Sequence, residues 1–116
     1  MTTIYHNPRC SKSRQTLTLL REHGVDPKVV EYLKEPPTEA TIREVIKKLG
    51  VEPIEIMRGG EKVFKELELA ARADDGETMI AAMVANPILI ERPIVVKGKH
   101  AVIGRPPERV LEILEV

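Results

Sequence analysis

The sequence contains a single cysteine, Cys10. One cysteine excludes an internal disulfide, so a redox cycle at this thiol requires a second thiol from another molecule. A lone thiol also suits a reducing compartment, and we therefore expect a cytoplasmic protein. Aromatic residues are scarce as well, with no Trp, one Phe and two Tyr. The core of this chain must consequently be built from aliphatic side chains.

Neither sign of charge predominates, and long apolar runs are absent. The 18 Lys and Arg residues balance the 18 Asp and Glu residues, which disfavours a basic surface for nucleic acid. No stretch approaches the about 20 apolar residues of a membrane span, and the first residues lack the features of a signal peptide. We expect one domain that is monomeric, with no nucleic-acid partner, no membrane partner and no metal site.

The start of the chain predicts a strand, a helix and a second strand. Residues 2–6 have the pattern of a short strand, which the turn-forming pair Asn7-Pro8 ends. A helix is predicted over residues 10–23 and a second strand over residues 28–33. Because a crossover of this length joins parallel strands, we expect these two strands to pair in parallel.

The rest of the chain predicts a hairpin preceded by helices. Two apolar strands, over residues 94–96 and 101–103, flank a turn at Gly98. Since both strands are apolar on both faces, we expect the hairpin to lie centrally in the sheet. Apolar residues at helical spacing predict further helices around residues 42–49, 64–71 and 80–84, and from Pro106-Pro107 onwards.

Cys10 falls where the first strand pattern gives way to a helix pattern. The first N–H groups of a helix have no internal acceptor, and that end of the helix has a partial positive charge, so a thiolate is stabilised there. The neighbouring Arg9, Lys12 and Arg14 add positive charge. This setting predicts a nucleophilic thiolate at neutral pH. The alternative is a buried structural cysteine.

Two arginines are expected to face each other at the open end of the hairpin. A turn centred just after Gly98 places Arg92 opposite Arg105, and like charges in opposed positions are destabilising unless an anion lies between them. Both arginines precede a proline, which favours an extended backbone. Their forked donors match a tetrahedral oxyanion. The alternatives are that both arginines are solvated, or that Glu91 or Glu108 neutralises them.

Three segments together resemble a known family, the glutaredoxin-dependent arsenate reductases with their uncharacterised and regulatory relatives. The segments are Tyr5-His6-Asn7-Pro8-Arg9-Cys10, Glu91-Arg92-Pro93-Ile94-Val95 and Gly104-Arg105-Pro106-Pro107. The resemblance implies an α/β protein with a thioredoxin-like fold, in which helices flank a small mixed four-stranded sheet. It also implies a thioredoxin-like core over residues 1–35 and 88–116, with a helical insertion over residues 36–87.

The resemblance assigns roles to the cysteine and to three arginines. Cys10 matches the family's nucleophile. Arg58, Arg92 and Arg105 match its oxyanion-binding arginines. From the residues alone, Arg58 is instead expected to be a solvated charge, because no local pattern indicates where its loop folds.

Other matches and departures concern the surroundings of the thiol. His6 matches a histidine that helps to ionise the thiol, although a lone histidine is more often structural, and Pro93 matches the cis-proline of thioredoxin-like folds. Ser13 and Lys12 are further candidates for contact with the oxyanion. Lys12 departs from the small residues that the characterised reductases have after the cysteine, and it could instead point outward. Glu68 stands where the family pattern has glycine.

The function that the resemblance implies is reduction of arsenate to arsenite, as in arsenic detoxification. Cys10 would attack arsenate to give a thiol-arsenate adduct, glutathione would serve as co-substrate, and glutaredoxin would be the protein partner. No tightly bound cofactor is implied. Because one thiol supplies too few electrons for this two-electron reduction, an external thiol fits the single cysteine.

Three other functions compete with arsenate reduction by this route. Phosphatase-like arsenate reductases need Cys-x5-Arg and resolving cysteines, whereas this chain has Cys10-x3-Arg14 and no second cysteine. A glutathione-dependent thiol transferase fits the Cys-x-x-Ser pattern that ends at Ser13, but disulfide exchange needs no arginine pair. A non-catalytic transcription regulator of the same fold would usually have Cys-x-x-Cys as a redox switch.

Overall fold

The computed structural model describes residues 1–115, which form two compact units. The first, here called the sheet unit, contains Met1–Glu35 and the chain from Arg92 onwards, and the second, the helical unit, is Pro36–Glu91. The second boundary thus falls at residue 91 instead of 87. The reason is that Leu89 and Glu91 bond to the helical unit, where Arg58 N–H donates to Leu89 O at 2.8 Å and Glu91 N–H donates to Ile56 O at 2.7 Å.

A mixed four-stranded sheet organises the sheet unit. Its strands are β1 (Thr2–His6), β2 (Lys28–Glu31), β3 (Ile94–Lys97) and β4 (His100–Ile103), in the order β2-β1-β3-β4. β1 and β2 are parallel, while β1 with β3 and β3 with β4 are antiparallel. These directions confirm the predicted parallel pair, the hairpin and the thioredoxin-like fold. The expected central position is wrong for β4, which is an edge strand.

One row of aliphatic side chains crosses the whole sheet. Val29, Ile4, Val95 and Val102 are successive partners on β2, β1, β3 and β4. They pack with Leu20 and with two residues from the end of the chain, Val110 and Ile113. Full burial of each such side chain contributes about 1.5–3 kcal/mol. An aliphatic core therefore holds the sheet unit together, as the scarcity of aromatic residues predicts.

Helices connect and close the sheet unit. Helix α1 (Ser11–Glu22) is the crossover between β1 and β2, and it stops before Gly24, whose φ of +79° suits glycine. The chain after β4 forms a 3₁₀ turn over Pro107–Val110, followed by the short helix α5 (Leu111–Leu114). The predicted helix at Pro106-Pro107 thus begins as a 3₁₀ turn. No helix within residues 1–115 is long and apolar enough to cross a membrane.

Three helices form the helical unit, and two of them match the predicted positions closely. Helix α2 (Glu39–Leu49) is capped by Thr38, whose hydroxyl accepts the Thr41 N–H, and ends at Gly50 with φ +69°. The others are α3 (Lys62–Glu66) and α4 (Gly76–Ala85). Short 3₁₀ turns occupy Pro53–Ile56, Leu69–Arg72 and Pro87–Leu89.

The helix predicted over residues 64–71 is broken at Glu68. This residue has φ +52° and ψ +41°, the left-handed conformation, and it separates α3 from the 3₁₀ turn that follows. It is the only non-glycine residue with positive φ in the described chain. A left-handed conformation costs a residue with a Cβ about 1–2 kcal/mol, which gives a physical reason for the glycine expected here.

We expect Glu68→Gly to raise the free energy of unfolding by about 1 kcal/mol, because the relief of strain exceeds the extra freedom of glycine in the unfolded chain. Urea unfolding measures the change. As a matched control, Glu66→Gly at the end of α3 should lower the free energy of unfolding, since glycine is a poor helix former. Destabilisation by both variants would contradict the strain assigned to Glu68.

Candidate active site

Cys10 lies at the junction between β1 and α1. The turn that holds it is fixed by the Cys10 N–H, which donates to Asn7 O at 3.0 Å, and by the Arg9 N–H, which donates to Asn7 Oδ1 at 3.0 Å. Cys10 is the N-cap of α1, and its carbonyl accepts the Arg14 N–H at 3.0 Å. Its partly exposed side chain makes no capping hydrogen bond to the helix. The sulfur is therefore at the positive end of a helix and open to a reactant.

The structure brings Arg105 to the sulfur and to Arg92. The Arg105 Nη1 atom is 3.7 Å from Cys10 Sγ and donates to Arg92 O at 3.0 Å. The predicted hairpin register is present, with Ile94 opposite Ile103. It is this register that brings the two arginines together at the open end of the hairpin. The contact puts a cationic hydrogen-bond donor next to the sulfur, a position that attracts anions.

Arg92 and Arg105 differ in their exposure. Arg105 is exposed, whereas Arg92 is partly buried and its Nε and Nη1 atoms are shielded from solvent. Glu91, one of the residues expected to neutralise this pair, has its carboxylate 3.8 Å from Arg58. Cys10, Arg92 and Arg105 together form the candidate active site of the sheet unit.

Gly104 and Thr16 support this site, and sequence reasoning missed both. The Gly104 N–H donates to Pro93 O at 2.9 Å. A Cβ on Gly104 would lie 2.6 Å from Thr16 Oγ1 and 2.9 Å from Pro93 Cγ, which leaves room only for glycine. A glycine directly before Arg105 was the available signal. The peptide bonds Arg92–Pro93 and Arg105–Pro106 are both cis, and the resemblance implies the first of them.

Ser13 fixes the loop of residues 7–10, here called the cysteine loop, by hydrogen bonding. Its side chain is fully buried, and its hydroxyl accepts the Asn7 N–H at 3.1 Å and lies 2.6 Å from His6 Nδ1. This hydroxyl fixes the turn that positions Cys10. The contact between Ser13 and the oxyanion stays a prediction.

His6 is buried beside Ser13, and the burial lowers the pKa of its imidazole below the usual 6.5. Arg21 and Arg14 lower this pKa further, while Glu31 opposes them. The neutral imidazole is thus favoured at neutral pH, so His6 adds no positive charge near the thiol in that state. What the structure displays for His6 is a hydrogen bond to the residue that holds the cysteine loop.

The remaining basic residues of the loop face different surroundings. Lys12 is exposed, as the outward alternative predicts, and a contact between its side chain and an oxyanion stays a prediction. Arg14 reaches back along the loop, where its Nη1 donates to Pro8 O at 2.9 Å. Within residues 1–115, no group of three or more His, Cys, Asp and Glu side chains could hold a metal ion.

Arg58 belongs to the helical unit. Its backbone is fixed next to an isolated β-bridge between Met57 and Ile90, which sequence patterns did not reveal. Its guanidinium is held by acidic side chains, with Nη1 at 2.7 Å from Glu61 Oε2 and Nε at 3.8 Å from Glu91 Oε1. Arg58 is therefore an ion-paired residue with little exposure, and the solvated charge expected from the residues alone is not what the structure contains.

Comparison with known proteins adds to this geometry. The family model of the ArsC family matches residues 5–113. The chain is 57% identical to the uncharacterised protein YfgD of Escherichia coli K12, over 96% of this chain and 94% of that protein. It is 43% identical to an arsenate reductase of Haemophilus influenzae, over 96% and 97% of the two chains. The solved arsenate reductase of Vibrio cholerae has a TM-score of 0.92 and 46% identity, over 97% and 96%.

The buried His6 predicts a pH dependence of stability. Its pKa is lowered in the folded protein, so as the pH falls below about 6.5 the unfolded chain binds a proton that the folded protein does not. The free energy of unfolding should therefore fall with pH, by up to about 1.4 kcal/mol per pH unit for this one group.

Urea unfolding between pH 7.5 and 5.5 checks this dependence. His6→Asn, which retains a hydrogen-bonding group near Ser13, should reduce the loss of stability on acidification. His23→Asn is the matched control, because His23 is exposed, and it should behave like the native chain. An equal pH dependence for all three proteins would contradict the role of burial at His6.

Proposed function

This chain belongs to the ArsC family, and on that premise we propose that it reduces arsenate to arsenite with Cys10 as the nucleophile. The observation that supports the proposal most directly is the Arg105 Nη1 atom 3.7 Å from Cys10 Sγ, at the N-terminus of α1. Relatives described as arsenate reductases span nearly the whole chain. A cationic, anion-attracting site with a thiol in it suits an oxyanion that is reduced by thiols.

In the proposed first step, arsenate binds to Arg92 and Arg105 beside the helix N-terminus. The sulfur of Cys10 forms a bond to arsenic, and one arsenate hydroxyl leaves as water with the proton of the thiol. Arsenic stays in its pentavalent state in this thiol-arsenate adduct. The arginines stabilise the negative oxygens throughout, and because they are held in place in advance they need little rearrangement.

In the proposed second step, a thiol from glutathione completes the reduction. The glutathione sulfur bonds to the sulfur of Cys10, and the electron pair of the broken sulfur-arsenic bond passes to arsenic, which leaves as arsenite. Glutaredoxin then reduces the mixed disulfide and returns Cys10 to the thiol. The single cysteine supports an external thiol, since this chain has no second one. The lone thiol also supports a cytoplasmic site of action.

The roles of the other residues follow from their contacts. Ser13 and His6 are positioning residues, because they hold the turn that leads to Cys10. Arg58 is proposed as a third arginine that binds the oxyanion, as the resemblance implies. Disulfide exchange alone, the function of a thiol transferase, does not require arginines beside Cys10.

The test is arsenite production from arsenate in the presence of glutathione and glutaredoxin, with glutathione reductase and NADPH to recycle the thiol. Cys10→Ser should abolish arsenite production, because the attacking sulfur is lost. Arg105→Ala should lower kcat/KM for arsenate by about 100-fold, the usual effect of removing one preorganised donor from a developing anion.

Arg109→Ala is the matched control for the loss of one arginine. Arg109 is exposed and lies 3.8 Å from Glu112, so its replacement should leave kcat/KM close to that of the native chain. No arsenite from the native protein, together with reaction of Cys10 with glutathione disulfide, would reject arsenate reduction and favour thiol transfer.

A further inference from the structure

The guanidinium of Arg58 is held by carboxylates of the helical unit. Arg58 Nη1 is 2.7 Å from Glu61 Oε2, which makes this a close ion pair. Arg58 Nε is 3.8 Å from Glu91 Oε1, a longer and weaker ion pair. Of the two carboxylates, that of Glu61 therefore engages the forked end of the guanidinium more closely.

The chain between Arg58 and Glu61 is arranged to keep this ion pair. Gly59-Gly60 forms a tight turn in which the Glu61 N–H donates to Arg58 O at 3.2 Å. Glu61 is also the N-cap residue of α3, and its side chain makes no capping bond there. Its carboxylate is thus committed to Arg58 and not to the helix that it precedes.

The Arg58–Glu61 pair is less exposed to solvent than an ion pair on the open surface of the helical unit. The side chains of Arg58 and Glu61 are 26% and 23% exposed, whereas the Arg43–Glu77 pair has 42% and 74%. Reduced contact with solvent weakens screening and strengthens a charge pair. An anion that binds to Arg58 must therefore compete with a well-placed carboxylate.

We propose that Glu61 is an internal competitor for the anion at Arg58, an inference that rests on the proposed function. A carboxylate and a tetrahedral oxyanion use the same forked donors of a guanidinium. Binding of the oxyanion at Arg58 exchanges the Glu61 carboxylate for an oxyanion oxygen. This exchange lowers the affinity for every anion that Arg58 binds, because each of them must displace the same carboxylate.

Glu61→Gln tests the exchange, because glutamine keeps the shape of the side chain and removes its charge. We expect the KM for arsenate to fall about two- to fivefold, the range set by partly exposed ion pairs, while kcat changes little. Glu66→Gln is the matched control, since it removes the same charge from α3 at an exposed position. It should leave the KM unchanged.

A second pair of variants separates competition from a general effect of charge. In the Arg58→Ala background, Glu61→Gln should no longer lower the KM, because the contested guanidinium is absent. A merely structural role of Glu61 would instead lower the melting temperature and raise the KM. An unchanged or raised KM in Glu61→Gln, or a gain that persists without Arg58, overturns the inference.

Calorimetric titration with sodium arsenate distinguishes failure of this inference from failure of the proposed function. Tighter arsenate binding by Glu61→Gln than by the native chain supports the competition even if the native chain produces no arsenite. Arsenite production by the native chain with equal arsenate affinity in both proteins rejects the competition and leaves the proposed function standing.

Discussion

The hydrogen bond from the Gly104 N–H to Pro93 O extends the hairpin register beyond its last strand pair. Through it, the position of Arg105 relative to Arg92 is set by β-sheet pairing and not by side-chain flexibility. A slip of one residue would move every side chain of the strand to the other face of the sheet. There is no room for a Cβ at Gly104, next to Thr16 and Pro93, so only glycine allows the two strands of the hairpin to approach this closely. The contact of Arg105 with Cys10 depends on that constraint.

The two sides of the thiol are held by different kinds of interaction. On the hairpin side, an exposed guanidinium meets the sulfur, and solvent can reach both. On the loop side, the buried Ser13 hydroxyl accepts the Asn7 N–H and is also hydrogen-bonded to the buried His6. Buried hydrogen bonds are costly to break because the freed groups lose their partners. A rigid loop and an accessible sulfur are therefore compatible in one small site.

Local pattern was sufficient for much of this arrangement. The position of Cys10 before α1, the hairpin register and the approach of Arg92 to Arg105 follow from short-range periodicity and turn chemistry. What sequence reasoning missed depends on tertiary packing. The burial of Ser13 and the close approach of Thr16 to Gly104 join positions that no sequence pattern relates. Glu68 is a local exception, because a helical apolar pattern continues through a residue whose backbone is left-handed.

The topology of the sheet also orders events during synthesis. β1 is made before its partner β3, which comes about ninety residues later, after the entire helical unit. At about 5–20 residues per second on the ribosome, the cysteine loop waits several seconds for the strand that completes the sheet. During that interval the thiol emerges without Arg105 beside it.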